Sequence, residues 1–439
     1  MKQSTSRTVR SLAALGAATL VLAACGPDTS GGDGDAQEDV DVSGVEPADE
    51  ITFWTNHPGG SADIENELIA QFTDETGIEV NVVTSGANYE ETSQRFQTAQ
   101  GSAEVDVVVL SDATWFPNYL NGSLVAVDGL MEEAGVDTSG YVEALYEDYQ
   151  YEGSHYGVPY ARSTPLFYYN VDHYEEAGID APPETWDEVA EVSEQLMDAG
   201  VANSAFSFPP QDEYPAWWMA NIVWGYGGAW SDEWDFSPVS SDATIEALEF
   251  AQEATNSWAS VSSGNPADDF SAGATSQIVQ STGSLGGILD SASFEVGTAF
   301  LPGGPAAEGE TPTGGAGLMI ASDSTPERQL AAAMFAGFMG NPDSTAAFSA
   351  ATGYVPVHQD ADMSDVYAET PQFQTAVEQL ERARVQDFAR LFVPGGDLEL
   401  SQTLQRILTS DVDVAEEMQR VEEELQSLYD SDVASEVEG

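Results

Sequence analysis

An α/β protein of two lobes, each a mostly parallel sheet flanked by helices, is the fold class this chain predicts, and three observations predict it. The first is a β-α-β-α-β order over residues 51–110, where apolar runs of strand length alternate with amphipathic helical segments. The second is the stretch 161–170, ARSTPLFYYN. Its hydroxyl-bearing step Ser163-Thr164 separates a strand start from the aromatic run Phe167-Tyr168-Tyr169, with Pro165 fixing the backbone between them. A strand that passes from one lobe to another reads this way, although the segment in isolation also reads as an ordinary buried strand. The third is residues 276–285, SQIVQSTGSL, where a strand again runs into small hydroxyl residues and glycine before an apolar helix start. Several such crossings make a hinge, because short segments absorb small dihedral changes while each sheet stays rigid.

The elements follow in order. Ile51-Thr52-Phe53-Trp54 is the first strand, and residues 61–76 form a helix with Ile64, Leu68, Ile69 and Phe72 on one face, stopped by Gly77. Residues 78–83 alternate as a second strand, Asn88-Tyr89-Glu90-Glu91 opens another helix, and 105–110 is a continuous apolar run suited to a buried parallel strand. Ligands of such sheets bind beyond the carboxyl ends of the strands. Tyr89 and Asp112 fall just past those ends. After the step at 163, residues 171–179 give a short helix closed by Gly178, followed by a Pro182-Pro183 turn and an acidic helix capped by Thr185. From 165 to 284 the chain reads as mostly helical, with tryptophans concentrated between 214 and 234. Residues 276–285 are expected to make the second crossing, and 296–302 and 314–320 to be strands of the first lobe. Helices follow at 326–340 and 346–352, then a loop at 352–357 leading back to the second lobe, and helices at 376–390, 398–410 and 414–429 before a frayed tail.

The 439 residues suffice for two domains of ordinary size, and 42% hydrophobic with 10% aromatic content excludes the composition of a disordered chain. At the N-terminus Lys2, Arg7 and Arg10 precede an apolar run over 12–22 that is short for a membrane span, and Leu22-Ala23-Ala24-Cys25 follows. This reads as a secretory signal peptide over 1–24. Cys25, the one cysteine, cannot make an internal disulfide; its place matches the lipobox in which such a cysteine becomes the lipidated first residue. Residues 25–49 are then the lipidated residue and a flexible acidic tether. The expected lobes are 50–162 with 285–345, and 163–284 with 346–439.

Loss of the signal removes three cations and no acid, so the formal charge moves from −65 to −68, with eight arginines and no lysine against 76 acids. Nucleic acid is held by neutralising phosphates with Lys and Arg, so that partner is excluded. The acidity suits solubility in a salty medium, where mutual repulsion is screened.

No catalytic set is legible. The four histidines are far apart and none has a metal-ligand spacing, carboxylate pairs arise everywhere by chance, and no nucleophile elbow, P-loop or dinucleotide fingerprint stands in a convincing context. No metal and no cofactor is expected. A binder of polyols needs flat apolar faces and a few convergent polar groups. Trp217-Trp218 and Trp224, with Tyr214 and Tyr226 beside them, offer such faces, and adjacent tryptophans on a helix point differently, so one of the pair belongs to the core.

The ordered pattern Ser163-Thr164-Pro165, Tyr168-Tyr169-Asn170, Ala177-Gly178-Ile179 and Pro182-Pro183 with Thr185-Trp186-Asp187-Glu188 resembles the extracellular solute-binding proteins of ABC importers, family 1. Within them it looks most like the glycerol-3-phosphate-binding branch, over about residues 50 to 430. The resemblance implies the type II periplasmic-binding-protein fold, capture of glycerol-3-phosphate, a glycerophosphodiester or a related sugar by closure of the lobes, and delivery to transmembrane permease subunits. A monomer tethered by lipid to the outer face of the cytoplasmic membrane is expected. Ala87-Asn88-Tyr89-Glu90 resembles the family's GNYE-like motif, so Tyr89 inherits a ligand contact; Asp112 stands where relatives have Glu. Ser163 and Thr164 correspond to its Ser-Ser-Thr-Pro step, in which Arg162 replaces a serine. Ser281-Thr282-Gly283-Ser284, Gly314-Gly315-Ala316 and Thr352-Gly353-Tyr354-Val355-Pro356 match further segments, so Ser281, Ser284, Gly315 and Tyr354 join the expected site with Trp217 and Trp218. Arg390 lies where relatives keep a phosphate-binding arginine, and a guanidinium suits bidentate phosphate recognition. A neutral oligosaccharide binder of the same fold, a glycan hydrolase and an adhesive surface lipoprotein remain open alternatives.

Overall fold

The computed structural model describes residues 42–57 and 60–437. The expected signal peptide, Cys25 and most of the tether lie outside them.

Two five-stranded sheets carry the architecture. In the first the spatial order is Glu79–Thr84, Glu50–Thr55, Val107–Ser111, Gly314–Ile320, Val158–Ser163. In the second it is Val296–Ala299, Pro165–Asn170, Thr275–Ser281, Ser204–Phe208, Ala259–Val261. The β-α-β-α-β run gives the parallel part of the first sheet, with Ile51 beside Val80 and Phe53 beside Val107. The remaining neighbours are antiparallel, as are two of the four pairs in the second sheet, so "mostly parallel" is corrected to mixed. The reason lies in the connections. Strands Val107–Ser111 and Val158–Ser163 end at the cleft, whereas Gly314–Ile320 starts there, having arrived from the other lobe. A strand leaving for the cleft and one entering from it must run in opposite senses.

The first crossing falls where the sequence places it. Ser163 ends one strand, Pro165 begins the next in the other sheet, and Thr164 alone lies between. The second does not. Strand Thr275–Ser281 pairs with Pro165–Asn170, and Leu285 and Ile288 of the following helix pack with Leu166 and Tyr168, so this segment stays in the second lobe. Val296–Ala299 likewise pairs there, Val296 beside Asn170, not in the first sheet. The return runs between residues 299 and 314. Helix Pro342–Thr352 and its loop, expected in the second lobe from 346 onward, supply Phe348, Val355 and Val357 to the first-lobe core instead. The expected helix 376–390 is broken into Pro371–Glu378, a 3-10 turn, the two-residue strand Ala383–Arg384 paired with Thr311–Pro312, and Phe388–Leu391. Strands Ser204–Phe208 and Ala259–Val261 interrupt the stretch read as mostly helical.

Local chemistry explains the helix ends that the sequence does give. Asn88 accepts from Glu91 N at 2.8 Å, Thr185 accepts from Glu188 N, and Gly178 takes the left-handed conformation after Ala177. In the first lobe Phe335 packs edge-on to Phe53 and Phe72 at 5.2 and 5.3 Å, all three fully buried. Each such side chain contributes roughly 1.5–3 kcal/mol by leaving water.

One buried side chain ties the crossings together. Gln379 Nε2 donates to Pro165 O at 2.8 Å, and its Oε1 accepts from Leu301 N at 2.7 Å. The hinge segments therefore share a single amide.

Candidate ligand-binding site

A cavity of about 240 Å³ opens between the lobes, lined from the first by Tyr89, Asp112, Ser163, Gly314, Gly315 and Tyr354 and from the second by Trp217, Ser281, Ser284 and Arg390. Tyr89 is the first residue of the helix capped by Asn88. Asp112 directly follows strand Val107–Ser111, its N–H bonded to Gly315 O at 3.1 Å. Both sit past strand ends, as parallel-sheet geometry dictates. Gly315 has φ +94°, and a Cβ there would stand 2.2 Å from Ala161 O, so only glycine fits. At Gly314 a Cβ would meet the Trp217 indole at 2.5 Å, which is how that ring reaches the cavity wall. Trp217 Nε1 is fixed by Thr313 O at 2.8 Å.

Of the residues expected from sequence, all line this cavity except Thr164, Trp218, Trp224 and Tyr226. Thr164 is fully buried in the crossing, its carbonyl accepting from Thr282 N at 2.9 Å, so it holds the hinge. Trp218 stacks on Phe208 at 5.6 Å inside the second lobe; as the neighbour of Trp217 it points the other way. Trp224 is also core, donating to Asp387 at 3.2 Å under the Arg384 guanidinium, and Tyr226 packs on Phe250. Tyr214 does line the cavity. The lining further contains Glu90, Glu213, Asn265, Gln280 and Asp397, which sequence reasoning missed. Glu90 stood in the motif already quoted. Asn265 and Gln280, joined at 3.1 Å, carried no local signal because only folding brings them together.

The polar centre is Arg390. Its Nη1 donates to Asp112 Oδ2 at 2.9 Å and to Gln386 Oε1 at 2.7 Å, and Gln386 Nε2 donates to the same Asp112 oxygen at 2.6 Å. Nε stands 2.7 Å from Asp397 Oδ1, yet the N–H misses the oxygen, and both buried atoms are left without a hydrogen bond. These contacts use Nη1 and Nε, not Nη2. Burial alone would lower the Arg390 pKa, but the Asp112 and Asp397 carboxylates outweigh it and leave it raised. Burial pushes the carboxyls of Asp397 and Glu90 above their ordinary range, and repulsion from Asp112 adds to both.

Behind Tyr89 lies a buried chain. Its hydroxyl is 3.3 Å from His57 Nε2, His57 Nδ1 is 3.4 Å from Glu65, and Glu65 also accepts from Tyr160 at 3.0 Å and Thr55 at 3.1 Å. Burial and the nearby Tyr354 keep the Tyr89 phenol protonated well past its ordinary pKa. The serine-to-arginine replacement, Arg162, is fully buried beneath the site, bonded to Tyr149 at 2.5 Å and paired with Asp148. The Asp148 carboxyl is pushed up to about 6 by burial, against the pull of Arg162. Among the described residues no cluster of His, Cys, Asp and Glu has the geometry to hold a metal ion.

Two mixed sheets flanked by helices, a hinge of short crossings and a polar, aromatic-walled cleft between them define a two-lobed binding protein that encloses a small hydroxylated or charged molecule. The model of the bacterial extracellular solute-binding protein family matches residues 67–375, and the chain belongs to that family. Its members work outside the cytoplasm. UgpB of Mycobacterium tuberculosis, solved in complex with glycerophosphocholine, is 40% identical, with a TM-score of 0.82 over 87% of this chain and 98% of that one. The sn-glycerol-3-phosphate-binding periplasmic protein UgpB of Escherichia coli K12 is 26% identical over 75% of this chain and 80% of its own length. A cyclic α-maltosyl-1,6-maltose binding protein of Arthrobacter globiformis shares the fold at 20% identity and a TM-score of 0.73. The resemblance to the glycerol-3-phosphate branch is thereby borne out.

Proposed function

We propose that this chain is the substrate-binding subunit of an ABC importer, that it captures glycerol-3-phosphate or a glycerophosphodiester without altering it chemically, and that it delivers the ligand to transmembrane permease subunits. The observation that carries the ligand assignment is Arg390, buried at the cavity wall with Nη2 outside its protein contacts. A guanidinium so held offers a charge-assisted donor to a phosphate oxygen. Tyr89, Tyr354 and Trp217 supply flat faces for the glycerol carbons, and Asp112, Ser163, Ser281, Ser284 and the Gly315 backbone the groups that meet its hydroxyls. The charge balance favours a diester over the monoester. Glu90, Asp112, Glu213 and Asp397 line the same cavity as the single cation, so a monoanion is repelled less than a phosphomonoester approaching two charges.

The same carboxylate excess supports a second reading, a neutral sugar or oligosaccharide. Calorimetry with glycerol-3-phosphate, glycerophosphocholine and maltose separates them. Binding of glycerophosphocholine in preference to maltose is expected, and maltose alone producing heat would replace the phosphate reading. We further assign a lipid anchor at Cys25, export through the preceding signal and a monomeric state; mass spectrometry of the membrane-extracted protein reads the first.

A further inference from the structure

Arg390 is the cation in the cavity lining, and a second cation, Arg162, lies behind that lining. Arg162 and Asp148 form an ion pair with no exposed surface, and the guanidinium also donates to the Tyr149 hydroxyl at 2.5 Å. The backbone brings this pair up against the site. Arg162 directly precedes Ser163, which lines the cavity, and it is the strand partner of Gly315, whose carbonyl accepts from Asp112 N at 3.1 Å. The pairing is incomplete. Asp148 Oδ2 takes the guanidinium, while Asp148 Oδ1 and Arg162 Nε are buried without a hydrogen-bond partner, so the groups do not meet through the two-pronged fork that holds a carboxylate most firmly.

Asp148 faces the Arg162 guanidinium from strand Val158–Ser163, the Asp112 carboxylate from the end of strand Val107–Ser111, the Thr313 hydroxyl, and the Arg390 guanidinium from the second lobe, with Tyr149 beside it on its own turn. Burial pushes its carboxyl up and repulsion from Asp112 adds to this; against the pull of the two arginines it stands at about 6. An ionised Asp148 cancels Arg162, and the pair then adds no net charge to the cavity floor. A protonated Asp148 leaves a whole positive charge there.

We propose that Asp148 and Arg162 are specificity-determining residues for an anionic ligand, a buried cation whose charge the cavity receives only to the extent that Asp148 holds a proton. The proposal rests on the phosphate reading of the cavity. Anion and proton then bind cooperatively, because each favours the state of the pair that the other favours. This differs from the part played by Glu90 and Asp397, which line the cavity themselves.

The test is calorimetry of the full-length chain with glycerophosphoglycerol, a diester that stays a monoanion, at about pH 7.5 and about pH 5.5, on either side of the Asp148 carboxyl. Glycerol-3-phosphate, whose charge approaches two, is measured at the higher pH alone. Asp148→Asn is expected to bind the diester about fivefold more tightly than wild type at the higher pH, the order of effect of one unit charge acting through protein. Its gain for the monoester is larger, and its gain on acidification is smaller by the same fivefold. This variant leaves a buried guanidinium unpaired and lowers Tm, so Asp148→Val combined with Arg162→Met, which removes both charges in favour of apolar side chains, is measured beside it. The double variant should match wild type within twofold at the higher pH and lack the same fivefold share of the acid gain. An Asp148→Asn chain that binds both ligands as wild type does, a gain no larger for the monoester than for the diester, or a double variant whose affinity climbs by the full wild-type factor on acidification overturns the proposal and leaves the phosphate reading in place. A wild-type chain that binds neither ligand overturns that reading and the proposal with it.

Discussion

Asp112 of the first lobe and Arg390 of the second meet at 2.9 Å across the cleft, and both are buried. The pair spans 278 residues of sequence and makes the binding site and the contact between lobes one object. Removing one partner of a buried ion pair costs about 3–5 kcal/mol, because the other charge is left uncompensated. Arg390→Ala therefore lowers Tm markedly and abolishes phosphate binding. Arg390→Lys separates the two effects, since an ammonium keeps the charge but loses the fork that reaches Asp112 and Asp397 together. It is expected to keep most of the stability and lose affinity at least tenfold by calorimetry. Undiminished binding of a phosphate ligand to Arg390→Ala would sink the assignment.

Glu90 and Asp397 set the pH dependence. Both carboxyls titrate above their ordinary range, through burial first and repulsion from neighbouring carboxylates second. As pH falls from neutral towards that range they take up protons before unperturbed acids do, and the cavity loses negative charge. A phosphodiester stays a monoanion over this interval, so its affinity is expected to rise as pH falls. The stability these groups contribute has the same sign: it is present at low pH and lost as pH rises through their raised pKa values. Glu90→Gln should bind a diester more tightly at neutral pH and flatten the profile; a profile unchanged by this substitution would refute the account.

Gly315→Ala tests the floor of the site. The left-handed conformation and the clash with Ala161 O together cost at least about 2 kcal/mol. Chemical denaturation should report that loss, and the distorted Asp112 contact should weaken ligand binding in parallel.

The adjacent tryptophans should separate cleanly. Trp218→Ala empties a packed site against Phe206 and Phe208 and costs about 3–5 kcal/mol, with ligand affinity preserved in the folded fraction. Trp217→Ala removes a cavity wall and weakens binding. Reversal of the two phenotypes would exchange their roles.

Salt should stabilise this protein. Among the described residues every arginine is in an ion pair except Arg382, which lies over the Phe300 ring. Against a net charge of −65 the surplus carboxylates have no counter-charge within the chain. Screening shortens their repulsion to a few ångströms at molar salt. Tm is expected to climb with added sodium chloride, and a flat response would remove the high-salt reading of the composition.

Wherever a property depends on neighbours along the chain, the sequence decided it. Strand 50–55 and helix 60–76, the caps at Asn88 and Thr185, the glycine stop at 178 and the crossing at Thr164 follow from periodicity, side-chain caps and the fixed φ of Pro165, all local effects. Tyr89 and Asp112 were legible because the end of a parallel strand is visible in sequence and ligands bind there. Sheet membership was not. Val296–Ala299 joined the second sheet because a strand's partner is set by where the preceding loop delivers it, and that distance is not written in the strand. Helix 376–390 broke because pairing of Ala383–Arg384 with Thr311–Pro312 and the Gln379 contacts override helical propensity. Which tryptophan faces the ligand, and the closing of Asn265 on Gln280 and of Asp397 on Arg390, were settled by tertiary packing alone, since a side chain's direction and its distant partners exist only once both lobes have formed.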